Sequence, residues 1–97
     1  MVNKLYVVKD EKIGFNQQLL SAENDQVALR SFAIGVNTPG SLMNTNPEDF
    51  NLYQVGTFNS ESGIIEPMSA PLLIGKAVEY KKQPKNAVPY PTESEVK

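Results

Sequence analysis

Carboxylates, lysines, tyrosines and hydroxyl groups are the side chains available for chemistry in this chain of 97 residues, because it contains no Cys and no His. The usual general base and the commonest soft metal ligands are therefore missing. The adjacent acidic pairs Asp10-Glu11 and Glu48-Asp49 fall where turns are expected, and such pairs more often serve a turn or a helix cap than catalysis. We therefore expect no enzymatic activity, no metal site and no cofactor.

The composition indicates one small domain. Hydrophobic residues make up 40% of the chain and charged residues 21%, which is ordinary for a globular protein. A chain of this length can bury only a modest hydrophobic core, and association with a second copy is one common way to enlarge that core. No apolar run approaches the length of a membrane span, and the first residues lack the pattern of a signal peptide, so no membrane partner is expected.

The formal net charge of −2 argues against a broadly basic nucleic-acid binder. The basic residues are nevertheless grouped near the two ends, while acidic residues fill the middle. The first group is Lys4, Lys9 and Lys12, and the second is Lys76, Lys81, Lys82 and Lys85. If the two ends meet in space, they form a local basic patch; the alternative is an ordinary solvated surface that serves solubility.

The first half of the chain predicts a hairpin followed by a helix. The segment KLYVVK (residues 4–9) is a strand former, and its unbroken apolar run favours a strand covered on both faces. A turn with Gly14 leads to a returning strand from Phe15 to Leu20. A helix from about Asn24 to Asn37 follows, with Ala28, Phe32 and Val36 on one apolar stripe that should pack on the sheet.

The segment from Asn46 to Pro67 predicts the central hairpin of the sheet. Its first strand runs from Phe50 to Phe58, a polar loop ending in Gly63 follows, and Ile64-Ile65 begins the return. We expect Phe50, Leu52 and Phe58 to face the helix, with Tyr53 and Val55 on the other face. Gly56 inside the strand suggests a bulge or the close approach of another backbone.

The predicted fold class is α+β: a small antiparallel sheet of four to five strands with one helix packed across it. Leu42 and Met43 are expected to close the end of the core, and the run from Pro71 to Gly75 could extend through Ala77–Tyr80. We assign residues 1–80 to a single domain. Residues 81–97 are rich in proline and polar side chains and are interpreted as a flexible tail.

Two segments, SAENDQVALRSF (residues 21–32) and NPEDFNLYQVGTFNSESGII (residues 46–65), resemble the small nonstructural protein of gokushoviruses, single-stranded DNA phages of the Microviridae. The resemblance begins at KLYVVKD and covers about residues 4–67. It implies a nonstructural DNA-binding accessory protein of genome replication that acts in the switch to single-stranded genome synthesis. It also implies a location in the host cytoplasm, outside the virion.

A single-strand binder of this kind would stack bases on aromatic rings while basic side chains neutralise phosphates. The stacking candidates are Tyr6 and Tyr53. The phosphate candidates are Lys4, Lys9, Lys12 and Arg30. For each, the alternative is structural: packing for the tyrosines, and solvated surface for the basic residues.

Another function class remains open, a module that binds a phage or host replication protein without contacting DNA. Self-association is also expected, as a homodimer through the strand face that carries Tyr53 and Val55. The competing arrangement is a monomer in which residues 72–74 cover that face.

Overall fold

The structure, a computed structural model, describes residues 1–82. Its centre is one antiparallel sheet of four strands in the order β2-β1-β3-β4. The strands are β1 (Val2–Asp10), β2 (Phe15–Ala22), β3 (Phe50–Asn59) and β4 (Ile65–Lys76). Helix α1 (Asp25–Val36) crosses one side of the sheet, and short helices α2 (Leu42–Thr45) and α3 (Ala77–Tyr80) close its end. The predicted α+β class is confirmed.

Helix α1 forms where the sequence places it. The Asn24 side chain accepts a hydrogen bond from the backbone N–H of Val27 at 3.0 Å, and this caps the first turn. Asn37 follows the last turn as the C-terminal cap. Ala28, Phe32 and Val36 are buried, as the helical spacing predicts. The helix is therefore fixed at both ends and packs through one stripe.

We call the side of the sheet under α1 the front face and the opposite side the back face. The hydrophobic core lies on the front face, where strand residues meet the helix. Its strand members are Tyr6, Val8, Phe50 and Leu52, and the edge of the Tyr80 ring packs against Phe32 with centroids 6.2 Å apart. Strand β1 lies inside the sheet and not at its edge, as its apolar run predicts. The back face has no second layer of helices or strands within residues 1–82, so the predicted cover on both faces of β1 is found on the front face only.

A bulge in β3 reverses the face of its last residues. Tyr6 of β1 pairs with Gln54, but the preceding Leu5 pairs with Gly56, so Val55 is an extra residue. One extra residue moves every later side chain to the other face. Phe58 therefore lies on the back face, and the prediction that it packs against the helix is wrong.

Gly56 permits a close approach of neighbouring backbone, as its position in the strand predicts. A Cβ atom at this position would lie 2.5 Å from the backbone oxygen of Glu66 in β4, which no side chain tolerates. The approaching backbone thus belongs to the same chain. Gly56 is therefore needed for β4 to pair with β3 beside the bulge.

Residues 65–76 form one long edge strand, whose pairing with β3 shifts register at Ile74 and over residues 68–71. Two other segments differ from the predictions. Residues 77–80 turn into helix α3 instead of extending the strand. Leu42 is 64% exposed, whereas Met43 does pack against the core. Leu42 faces outward because α2 turns only one of the two neighbouring side chains inward.

The two residues that follow the predicted domain boundary at residue 80 form hydrogen bonds with the domain. Lys81 Nζ donates to the backbone oxygen of Asn44 at 2.7 Å, and the Lys82 backbone N–H donates to Asn37 Oδ1 at 2.8 Å. The rest of the predicted flexible tail lies outside the described residues. Within residues 1–82, no helix is long and apolar enough to cross a membrane.

Candidate functional site

Two rows of side chains cross the back face, as the strand pairing shows. The polar row runs from β2 to β4 as Asn16, Lys9, Asn51 and Lys76. The apolar row beside it consists of Leu19, Val7, Tyr53 and Leu73. Directly paired residues on one face have Cβ atoms roughly 4.5–5.5 Å apart, so each row is a continuous strip of side chains.

The predicted alternative that residues 72–74 fold over Tyr53 does not occur in this chain. Leu73 pairs directly with Tyr53 and widens the sheet instead of covering it. Tyr53 is half-buried between Val7 and Leu73, and Leu73 is itself 44% exposed. Among residues 1–82, no helix or strand covers the back face, which has an aromatic ring near its middle.

Glu11 reaches the polar row from the β1–β2 turn and forms a hydrogen-bonded cluster there. Its carboxylate accepts hydrogen bonds from the Tyr53 hydroxyl and from Asn51 Nδ2, the latter at 2.9 Å. Lys9 Nζ lies 3.7 Å from the same carboxylate. The hydrogen bond from Tyr53, followed by that from Asn51, lowers the pKa of Glu11, and the same carboxylate raises the pKa of Tyr53.

Glu11→Gln should lower the pKa of Tyr53 toward its ordinary value of 10.0, because the charged acceptor that opposes tyrosinate formation is removed. Absorbance titration of tyrosinate measures this, with Tyr53→Phe identifying the contribution of this one ring. If the pKa of Tyr53 were the same in Glu11→Gln as in the native chain, the hydrogen bond would be contradicted.

Because folding lowers the pKa of Glu11, the contribution of this carboxylate to stability should be present above about pH 4.5 and lost on further acidification.

The strand positions of the back face carry two lysines and no acidic residue within residues 1–82. Glu11 is the carboxylate that approaches from outside the strands. The other acidic side chains of the sheet belong to the front face or its margins: Asp10 pairs with buried Phe50, and Glu66 pairs with Thr57, which shares the front face with Lys4. An acidic protein thus keeps a basic strip on one face.

Tyr6 does not belong to this surface. Its side chain is fully buried on the front face, and its hydroxyl donates to Asp25 Oδ1 at 2.6 Å. Lys4 Nζ lies 3.4 Å from the same oxygen. The Tyr6 ring has no exposed face on which a base could stack, so the packing alternative fits and the stacking role does not. Tyr6, Asp25 and Lys4 instead tie β1 to the first turn of α1.

Tyr6→Phe should lower the free energy of unfolding at neutral pH by about 1–2 kcal/mol, since a hydrogen bond to a charged group is lost.

Burial of the ring, followed by its hydrogen bond to Asp25, raises the pKa of Tyr6 above its ordinary value of 10.0. Above that pH the unfolded chain releases the proton while the folded chain keeps it, so stability should fall. Denaturant titrations from pH 8 to 11 should give a shallower alkaline decline for Tyr6→Phe; an equal decline would contradict this role.

The remaining predicted contacts lie elsewhere. Lys12 lines a hollow whose walls also include three acidic residues, Asp10, Glu48 and Asp49. Arg30 is on the exposed side of α1 and shares a hollow with Lys82. Of the six candidates, the structure therefore brings only Lys9 and Tyr53 together on one open face.

The sequence predictions do not name Lys76, Asn16 or Asn51 as contact residues, although strand alternation places Asn51 on the same face as Tyr53. Lys76 was noted only as part of a charge group, because its place depends on the bulges that set the pairing of β4 with β3. Asn16 and Asn51 follow turns and have the polar character of ordinary solvated positions. The usable signal was the alternation Asn51-Leu52-Tyr53, which places the amide and the ring on one face.

The comparisons with known proteins identify a family. The family described as Phage ORF5 protein matches residues 3–80, which include α1 and all four strands except the first residue of β1. No curated protein and no solved structure matches. The family match covers the whole back face described above.

Proposed function

We propose that this chain, which belongs to the Phage ORF5 protein family, is a non-enzymatic phage protein that binds single-stranded DNA during genome replication. The observation that carries the proposal is the open back face, where Tyr53 adjoins a row containing Lys9 and Lys76. The resemblance to the gokushovirus nonstructural protein supports the same reading. It favours a role in the host cytoplasm, in the switch to single-stranded genome synthesis.

The physical mechanism is stacking combined with charge neutralisation. A helix-backed four-stranded sheet can present its uncovered face to unpaired bases, which stack on aromatic side chains. Here a base would stack on the Tyr53 ring, and phosphates on either side of it would meet Lys9 and Lys76. Asn16 and Asn51 supply amide donors and acceptors for base edges. In a duplex the faces of the bases are occupied, so this arrangement favours single strands.

Glu11 is the element that opposes binding in this mechanism. Its carboxylate pairs with Lys9 and would repel an approaching phosphate. Nonspecific affinity for nucleic acid comes mostly from phosphate neutralisation. The surface should therefore bind with modest affinity and with a salt dependence that corresponds to the few phosphates its two lysines can neutralise.

The experiment is a fluorescence anisotropy titration with a labelled oligothymidine, from low to moderate salt. We expect affinity to fall as salt rises, with a log–log slope that decreases by roughly 0.7 for each phosphate contact removed. Lys9→Gln and Lys76→Gln should each reduce the slope. Lys12→Gln is the matched control, because the same charge is lost in the hollow whose walls include three acidic residues.

The outcomes separate the mechanism from its alternatives. Absence of binding at low salt, or binding that is indifferent to salt, contradicts phosphate neutralisation. Equal effects of Lys9→Gln and Lys12→Gln would show a diffuse charge effect instead of contact at the back face. Preference for a duplex competitor over the single strand would contradict stacking on Tyr53.

A second candidate function is binding of a phage or host replication protein without DNA contact. Exposed apolar side chains along the β3–β4 hairpin favour it, namely Ile64, Ile65, Met68 and Leu72. A pull-down from infected cells, with and without nuclease, distinguishes the two functions. A replication protein recovered after nuclease treatment would support the second, and loss of every partner would support the first.

A further inference from the structure

The two edges of the sheet differ in how they are protected. Strand β4 carries Pro67 and Pro71, and its pairing with β3 is interrupted by a bulge between them. Proline and bulges are devices that prevent an edge from pairing with another strand. Strand β2 also has one bulge, at Gln17, but its sequence FNQQLLSA has no proline, no glycine and no charged residue, and residues 18–22 pair regularly with β1. Within residues 1–82, prolines and a bulge therefore protect the middle of the β4 edge, whereas the Gln18–Ala22 part of the β2 edge has no such protection.

The β2 edge continues into an apolar hollow. Between β2 and α1 lies a groove lined by Leu20, Met43 and Ile34, with Gln18 and Ser31 at its margin. Ile34 is 65% exposed, and Leu19 on the back side of β2 is 63% exposed. Backbone hydrogen-bonding groups and uncovered apolar side chains therefore share one flank of the molecule.

We infer that this flank is an interface between two copies of the chain, formed by antiparallel pairing of β2 with β2 of a second copy. An antiparallel pair of identical strands is self-complementary about a two-fold axis, which is the commonest symmetry of oligomers. The regular part of β2 after its bulge, Gln18–Ala22, would lie at the axis. Because β2 is uncharged, two copies meet there without the repulsion that opposed like charges cause.

This arrangement replaces the dimer through Tyr53 and Val55 that the sequence suggests. A two-fold axis perpendicular to the sheet joins eight strands in one sheet, with both α1 helices on one side and both back faces on the other. The helices approach across the groove, so Ile34 and Leu20 are covered. Each back face stays open, and a dimer offers two copies of the Lys9–Tyr53 surface to one partner.

Light scattering on the full chain tests the interface. The native protein should have a mass near twice 10.7 kDa at tens of micromolar. Leu19→Lys should reduce it to the monomer, because a charge is placed at the axis. Leu73→Lys is the matched control: the same change in the same row of the same face, at the opposite edge. It should leave the dimer intact, and circular dichroism should show that both variants remain folded.

Amide hydrogen exchange supplies a measurement that needs no variant. Protection of β2 amides should increase with protein concentration, while protection of β4 amides should not. A monomeric native chain, dissociation by Leu73→Lys alone, or equal dissociation by both variants would overturn the proposal. The last two outcomes would place contact at the β4 edge or on the back face instead.

Discussion

Phe32→Ala is expected to lower the free energy of unfolding by about 3–5 kcal/mol, the usual cost of deleting a buried aromatic ring. Phe32 is only 2% exposed and lies at the middle of the apolar stripe of α1. Its ring contacts the edge of Tyr80, so the deletion also loosens α3 where the chain leaves β4. Domains of this size have a total stability of roughly 5–15 kcal/mol, so the variant should be close to unfolding.

Urea titration followed by circular dichroism measures the effect, and the midpoint should fall without a large change in slope. Val27→Ala is the control on the same helix, since Val27 is 42% exposed and faces away from the stripe. Its cost should stay below about 1 kcal/mol. Similar costs for the two substitutions would mean that α1 does not pack through the Ala28–Phe32–Val36 stripe.

The position and orientation of α1 were predictable because the residues that determine them lie within the helix or next to its ends. Asn24 caps the first turn, the apolar residues recur every four positions, and Pro39-Gly40 prevents continuation. The β1–β2 turn was predictable for the same reason, as Gly14 adopts a positive φ of 79°. Signals within a few residues of one another need no knowledge of the rest of the fold.

The composition of the back face was not predictable because it depends on long-range register. The run Leu5-Tyr6-Val7-Val8 is apolar throughout, so alternation cannot tell which members face the helix. The sequence therefore leaves both a stacking role and a packing role open for Tyr6, and its burial matches packing. Gly56 indicated a bulge, but only the pairing with β1 shows that the extra residue is Val55 and that Phe58 therefore lies on the back face.

Lys9 and Tyr53 are 44 residues apart in the sequence and lie together because β1 pairs with β3. Lys9 is opposite Asn51, and Tyr53 is two residues further along that strand on the same face. Their separation in sequence gave no indication of this proximity. Glu11 was interpreted as part of a solvated turn, and its contact with both side chains also follows from the tertiary fold.

Tyr53→Ala is expected to weaken binding of single-stranded DNA by about 5- to 150-fold, since loss of one stacking ring costs about 1–3 kcal/mol. The ring lies in the apolar row between Val7 and Leu73, beside the row that contains Lys9. Removing it deletes the stacking surface but leaves both lysines in place. Affinity should therefore fall at every salt concentration, while the salt slope stays close to that of the native chain.

Two further substitutions separate the loss of stacking from the other effects of Tyr53→Ala. Tyr53→Phe keeps the ring and loses only the hydrogen bond to Glu11, so affinity should stay within about threefold of native. Phe15→Ala removes another exposed aromatic ring, one that pairs with Asp10 on the front face, and should leave affinity unchanged. If Phe15→Ala weakened binding as much as Tyr53→Ala, DNA would not lie on the back face. If Tyr53→Phe lost affinity as severely as Tyr53→Ala, the hydroxyl and its bond to Glu11 would be responsible, and the stacking mechanism would be wrong.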